Sequence, residues 1–584
     1  MKVDGAAPAV RVLLVILGYL AVVIWLTWPL GASSLTHLPC TGVACGGDTL
    51  YSAWVLAWES HALGTSPFHL LEGNIYHPAR DAVLYGPAAL GALPYFAPVY
   101  AISGSAVFAL NATLVLCIAL TAAGLHLVIL RWTGRHSAGA VAAAVLLTSR
   151  WLLWGFVGTA PHLAALQCFP LIVLLAAEPR PGAAWMLALL ALVVMQCLTD
   201  AVYVAPAVLA PLGLLALGRL CRRTSRPDGI RLALVVVATA VTLLPLYLTY
   251  LQLRESNPDL AMQSLWHGKE RALRLEGLFW KGNRSTTVVP AALVLVLVGG
   301  ALALGRHFPR RSRKPASPPE LPYARSWCHG ALWLLAGAML SLPPRVVWGG
   351  HALVVPQTLL DDWTPLYDVI RVPSRLGVAA LIGFCLLAGL GYAEVDVAVA
   401  KRIRGRRARA VQAALGAVAL ALVYWVPPGN MPRLPARFPR QPAPAVPAAF
   451  LPILGADRAP LVQLPALRAD GRPLPSNAVA MFRSISHWRP ILNGYSSYWP
   501  AGFIDRMRLA ERLPARPALT ALVRRTGLGL VWVDARRFSG DERRRWARAG
   551  KGDGLALLAS AEDQMLFAVT SSEPLPGPIE SPPG

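Results

Sequence analysis

The stretch CTGVACGGDTLYSAWVLAWESH, from Cys40 to His61, contains one acid placed for chemistry, Asp48, behind two glycines and ahead of an aromatic run. Three readings of Asp48 are open. Its carboxylate could cap a helix by accepting the amide N–H of Leu50 or Tyr51, hold a metal ion, or act as a base on a substrate. Gly46 and Gly47 permit close approach of a ligand to the backbone. From Thr49 to about Ala62, Leu50, Trp54 and Trp58 recur every four residues with Ala53 and Ala57 beside them. That spacing predicts a helix with one apolar face, and tryptophan there suits a headgroup boundary. Glu59 follows Asp48 on nearly the same face, three turns on. At 1.5 Å per residue the separation is about 16 Å, so a continuous helix keeps the two acids off a single ion.

A second constellation lies in DVIRVPSRLG, where Arg371 and Arg375 are four apart around Pro373. Four-residue spacing puts both arginines on one helical face, and proline suits a first helical turn. Free N–H groups, a positive dipole end and two guanidinium forks then coincide, which makes a phosphate site. The competing reading is interfacial anchoring by snorkelling. Further polar candidates are His77 and Arg80 in NIYHPARD, His162 in GTAPHLA, and Asp200. The segment HWRPILNGYSSYWP adds His487, Asn493 and Tyr495. Aromatic and amide groups of that kind suit sugar or headgroup contacts, and suit a packed loop equally.

These residues must be positioned by a very apolar chain. Of 584 residues 55% are hydrophobic and 14% charged. Apolar runs of spanning length recur from Val10 to about Val426, and a bilayer needs about 20 such residues per helix. The expected fold is an α-helical polytopic membrane protein with about eleven spans, near 10–30, 106–130, 138–156, 162–177, 183–199, 201–218, 232–251, 288–305, 327–343, 375–391 and 410–427. The first run lacks a clear cleavage site and reads as a retained span.

The net charge of +24 would point to nucleic acid in a soluble chain, but its distribution excludes that partner here. Basic clusters occupy short gaps: Arg131 and Arg135; Arg219 to Arg226; Arg306 to Lys314; Lys401 to Arg409. Short basic loops stay cytoplasmic. The loop from Gly31 to Pro87 sets Asp48, Glu59, Glu72 and Asp81 against the single base Arg80, so it is expected outside. Eleven spans with a cytoplasmic N-terminus satisfy every cluster. Counting 88–102 as a span would break that parity, so it reads as an interfacial or re-entrant segment in which Pro94 and Pro98 disfavour a regular helix.

Of eight cysteines, Cys40 and Cys45 alone are expected outside, where disulfides persist. A bond between them is expected, against the alternative of two free thiols, and no zinc-like spacing occurs. After Pro427 the pattern changes. The division expected is a transmembrane domain over 1–427 with a long first outer loop (31–105), a proline-rich extended linker over 428–450, and a small extracytoplasmic α/β domain over 451–584. In the last, APLVQLP, LGLVWVDA and LALLASAEDQMLFAV read as strands, with a helix-like stretch from about Asp505 to Thr526.

Asp48, the run Arg371-Val372-Pro373-Ser374-Arg375 and HWRPILNGYS together resemble the GT-C glycosyltransferase superfamily, among relatives of lipid-linked-sugar mannosyl and aminoarabinose transferases, over nearly the whole chain. The resemblance implies that Asp48 is the catalytic or metal-binding acid, with a divalent Mg or Mn ion as the cofactor. It implies a polyprenyl-phosphate sugar donor drawn from the bilayer and an envelope glycan, lipid or protein acceptor. The implied location is the bacterial plasma membrane. Many relatives carry paired acids in the first loop, whereas here Asp48 stands alone. Arg371, Arg375, Glu59, His77, Arg80, His162, Asp200, His487, Asn493 and Tyr495 are the candidate substrate contacts. Two functions are carried forward: an inverting transferase, and a non-catalytic transporter or assembly factor using the same phosphate site.

Overall fold

The computed structural model describes residues 8–41, 46–149, 152, 157, 161–257, 290–307, 321–344, 346–348, 351–363, 370, 372–403, 406–425, 437–456, 458–549 and 554–570. Each predicted apolar segment coincides with a helix. In chain order these begin with α1 (Pro8–Leu26), then α2 (Asp48–Thr65) and α3 (Leu93–Ser103) of the first long loop. They continue with α4 (Ala106–Thr133), α5 (His136–Leu147), α6 (Phe169–Ala177), α7 (Ala183–Cys197), α8 (Val204–Leu220) and α9 (Arg226–Ser256). Helices Pro290–His307, Leu321–Leu340, Val378–Arg402 and Arg406–Trp425 complete the bundle. Among the described residues five helices are long and apolar enough to cross a membrane, and six shorter apolar helices accompany them.

Segment 88–102 departs from the expected irregular backbone. It forms a regular helix of 11 residues, α3, despite its prolines. Pro94 falls in the first turn, where no N–H partner is lost. Pro98 is inside, and Gly104 closes the helix in the left-handed conformation. Eleven residues span about 16 Å, roughly half a hydrocarbon core.

Helix Val378–Arg402 is the centre of the bundle, buried along most of its length. Its glycines set the packing distance. A Cβ on Gly391 would lie 2.2 Å from the Leu295 carbonyl oxygen, and one on Gly383 2.3 Å from the Leu334 nitrogen. Small residues let backbones approach in lipid, where dispersion rather than hydrophobic exclusion drives helix association. The outer faces of α1 and α9 expose Leu14, Leu17, Val237 and Val241, as lipid-facing helices do.

The bundle has two chemically distinct ends. At one, Arg131 pairs with Glu178 at 3.2 Å, Arg135 with Asp396, and Arg306 with Glu394. The basic gaps read from the sequence as cytoplasmic therefore supply partners for the two buried acids of the central helix. At the other end lie the N-terminal approach to that helix, the first long loop and the C-terminal region.

The C-terminal region holds a four-stranded sheet in the order β1-β2-β4-β3, from β1 (Leu461–Leu464), β2 (Leu530–Asp534), β3 (Leu555–Ala561) and β4 (Gln564–Val569). β1 and β2 are parallel and buried at every position, which explains their unbroken apolar runs. The stretch expected to be one helix is two, Phe503–Glu511 and Arg516–Thr526, separated around Pro514. Part of the linker is also structured. Arg440–Pro442 pairs antiparallel with His37–Pro39 of the first loop, while residues 426–436 lie outside the description.

The first loop and the C-terminal region are joined by a short backbone ladder. Tyr76 N–H donates to Asn493 O (2.9 Å), His77 N–H to Ile491 O (2.9 Å), and Ile491 N–H to Asn74 O (2.8 Å). His487 packs behind this seam. Its Nδ1 accepts the Arg489 N–H, and its buried Nε2 has no partner. Burial, with Arg489 nearby, pushes its pKa down to about 4. An unfolded histidine titrates near 6.5, so its contribution to stability is complete above that pH and declines as pH falls toward 4. The expected loss is about 3 kcal/mol. Acid-induced opening of residues 437–570, followed by hydrogen exchange between pH 7 and pH 4, should soften in His487→Gln. Identical profiles would remove His487 from the acid response.

Candidate functional site

One open cleft, with a volume of about 830 Å³ including its mouth, gathers Asp48, His162, Asp200, Arg375 and Tyr495. Five of the sequence candidates, from five separate parts of the chain, thus share one cavity. Tyrosines complete the wall: Tyr51, Tyr85, Tyr203, Tyr250 and Tyr498, with Ser496 and Ser497.

Asp48 is the first residue of α2, not its cap. The capping position is Gly47, with no side-chain cap bond. The carboxylate instead accepts a hydrogen bond from the Tyr495 hydroxyl at 2.7 Å. The glycine before it has a specific use. A Cβ on Gly47 would lie 2.3 Å from the Tyr495 ring. Close approach was legible at this glycine pair, but the approaching group is a side chain of the C-terminal region. Gly47→Ala is accordingly expected to displace Tyr495 and lower activity at least tenfold, with a stability cost of about 1–3 kcal/mol. Wild-type turnover in that variant would show that the Tyr495 contact is dispensable.

Cys40 is disulfide-bonded, and Cys117, Cys168, Cys197, Cys221, Cys328 and Cys385 are free. Cys45 lies outside the described residues. A Cys40–Cys45 bond should appear as a linked peptide in non-reduced mass spectra. By loop entropy its loss would cost about 2 kcal/mol, felt mainly at the Gly46-Gly47-Asp48 turn.

His162 and Asp200 form a pair: Nε2 and Oδ2 are 3.2 Å apart and both side chains are buried. Asp200 Oδ1 accepts the N–H groups of Val202 and Tyr203, each at 2.8 Å, which fixes the entry into α8. Tyr203 in turn receives the Val372 N–H on its hydroxyl (3.2 Å) and carries the Arg375 guanidinium 5.4 Å from its ring centroid. This chain of contacts positions Arg375 at the cleft.

The arginine motif differs in its local geometry. Pro373–Gly377 is a 3-10 helix, and Val372, at φ −136° and ψ 79°, is not helical. The four-residue α-helical face expected for the arginine pair therefore does not form. Arg371 lies outside the described residues.

The remaining candidates sit elsewhere. Glu59 is fully buried in α2, neither carboxylate oxygen has a partner, and desolvation holds its pKa well above the usual carboxylate range. His77 Nε2 is 3.1 Å from the Thr526 carbonyl oxygen. Asn493 bridges Gln463 and Asn477 inside the sheet region. His487 belongs to the seam, and Arg80 lines a different pocket. The tyrosines were missed because an isolated tyrosine carries no spacing signal. The SSYW run after Tyr495 was their nearest trace.

A divalent ion would need several oxygen ligands about one point. Among the described residues no group of three or more His, Cys, Asp or Glu side chains could hold one. In the cleft, Asp200 is engaged by His162 and two amides. Among the described residues the donor set does not fit the Mg or Mn site implied by the resemblance.

No family model matches the chain, and no curated protein matches it. Solved structures do. The cryo-EM structure of the arabinofuranosyltransferase AftD from Mycobacteria aligns with 97% of this chain at 15% identity and a TM-score of 0.55. The chain spans 42% of that protein's length. ArnT from Cupriavidus metallidurans, bound to undecaprenyl phosphate, aligns over 97% of this chain and 99% of its own at 14% identity and a TM-score of 0.39. An Archaeoglobus fulgidus oligosaccharyltransferase in complex with Zn and sulfate covers 91% of this chain and 69% of its own, at 12% identity and a TM-score of 0.42. The likeness of fold rests on the first of these three. The chain shares its fold with that part of the arabinofuranosyltransferase structure.

Proposed function

We propose that this protein is an integral membrane glycosyltransferase that moves a sugar from a polyprenyl-phosphate donor to a cell-envelope acceptor on the extracytoplasmic face. The observation that carries the reading is that Asp48 and Arg375, one acid and one fixed guanidinium from distant parts of the chain, line one cleft. The acceptor hydroxyl oxygen attacks the anomeric carbon, and Asp48 takes its proton. The bond from that carbon to the phosphate oxygen breaks, and its electron pair leaves with the polyprenyl phosphate. A single displacement inverts the anomeric centre. Arg375 compensates the charge growing on the departing phosphate, and Arg371 is proposed to share that role. Electrostatic preorganisation and positioning are then the main sources of rate. Tyr495 holds the Asp48 carboxylate in place, and the His162–Asp200 pair fixes the wall that carries Tyr203 and Arg375.

The wider setting belongs to the same proposal: a bacterial plasma membrane, a cytoplasmic N-terminus, and residues 451–584 as an extracytoplasmic domain that completes the cleft. The test is transfer by purified protein in nanodiscs from a polyprenyl-phosphate sugar to an envelope extract, followed by mass spectrometry. Donor binding without any transferred sugar would replace the transferase with the non-catalytic transporter or assembly factor.

A further inference from the structure

Beyond Tyr85 lies a second pocket of about 880 Å³, mouth included, and Tyr85 lines both it and the cleft. Three stretches build it: Arg80 and Asp81 of the first loop, the last turn of α9 with Asn257, and Pro500, Ala501 and Arg506. Asn257 secures the shared wall. Its Oδ1 accepts the Ala501 N–H at 2.8 Å, and its side chain is hydrogen-bonded to Tyr85.

Arg506 is the unusual group. Its Nη1 reaches the Ala501 carbonyl at 3.4 Å, while Nε and Nη2 are buried and have no hydrogen-bond partner. The adjacent acid, Asp505, pairs with Arg508 at 3.0 Å instead. Nε and Nη2 form the edge of a guanidinium that grips a carboxylate or phosphate through two parallel bonds. A buried donor left unpaired costs about 1–3 kcal/mol, and more when charged. Burial lowers the Arg506 pKa, with Tyr85 and Asp505 acting in the opposite direction. Arg80 stands exposed at the same pocket, and Asp81 beside it is held at φ 51°, a left-handed conformation uncommon outside glycine.

We propose that this pocket binds an oxyanion, a phosphate or carboxylate group carried by the acceptor, with Arg506 taking two of its oxygens and Arg80 closing the mouth. The acceptor hydroxyl then reaches Asp48 past Tyr85. The acceptor role rests on the glycosyltransferase reading; the oxyanion site does not.

The test uses full-length protein in phosphatidylcholine nanodiscs, titrated calorimetrically with inorganic phosphate. An Arg375→Ala background removes the proposed donor-phosphate contribution. Adding Arg506→Ala should weaken phosphate binding at least tenfold, and Arg506→Lys should restore part of it, since lysine keeps the charge but loses the fork. Arg80→Glu, a change at an exposed position, should weaken it at least threefold and decides the matter if Arg506→Ala does not fold. Arg506→Ala alone should keep wild-type affinity for a polyprenyl-phosphate sugar, which separates this site from the donor site. Unchanged phosphate affinity in the folded variants overturns the proposal. Suppression of phosphate binding by phosphatidylglycerol in the nanodiscs would assign the anion to a lipid headgroup and overturn the acceptor role.

Discussion

Asp48→Asn is expected to abolish sugar transfer while leaving the protein folded and inserted. Asparagine keeps the shape and can still accept the Tyr495 hydroxyl bond that now measures 2.7 Å, so the α2 start and the contact with the C-terminal region should persist. What it loses is the ability to take a proton. Positioned general bases contribute about 10²–10⁴-fold to rate, and a loss in that range is the expected result. Asp48 makes no cap bond for α2, so a structural role at the helix terminus cannot supply such a loss. Tyr495→Phe gives the complementary measurement. It leaves the carboxylate and removes its hydroxyl partner, so kcat should fall by about tenfold through mispositioning, with donor affinity kept. Turnover within twofold of wild type for Asp48→Asn would reduce this acid to a structural contact between α2 and Tyr495.

Arg375→Ala should weaken binding of the lipid-linked donor by about 30-fold or more. The guanidinium is half-buried, held against the Tyr203 ring, and lines the cleft that contains Asp48. Truncating one partner of a partly desolvated, hydrogen-bonded charge pair typically costs about 2–5 kcal/mol, whereas a surface pair costs about 0–1 kcal/mol. The size of the loss therefore separates a phosphate ligand from an interfacial anchor. Arg375→Lys should recover part of the affinity, because ammonium retains the charge without the planar fork. Arg371→Ala belongs in the same series, with an effect in the same direction. The readout is the Kd of a polyprenyl-phosphate sugar for purified protein in nanodiscs. If Arg371→Ala and Arg375→Ala both bind within about fivefold of wild type, these arginines are anchors and the donor-phosphate site lies elsewhere.

The sequence by itself determined the elements and their two ends. Hydrophobic periodicity is a local property, and it located the bundle helices, the strands of the C-terminal sheet, and a helix from Thr49 to about Ala62. Charge placed Arg131, Arg135, Arg219 and Arg306 apart from Asp48, and the fold keeps them apart: Arg135 and Arg306 serve Asp396 and Glu394, far along the central helix from Arg375. Residue type singled out Asp48 and Arg375 as candidates, since an acid behind two glycines and an arginine beside a helix start are informative without a partner, and both line one cleft. The tertiary structure alone decided what those residues meet. Tyr495 reaches Asp48 across 447 positions of sequence, and His162 meets Asp200 because α6, α7 and the entry to α8 fold back on one another. The same folding assigned His77 and Asn493 to packing and set Arg506 beside Arg80. Local spacing reports which face a side chain takes on its own element. It carries no information on which distant element closes over that face, because that choice is made by the packing of helices and the docking of the C-terminal region as a whole.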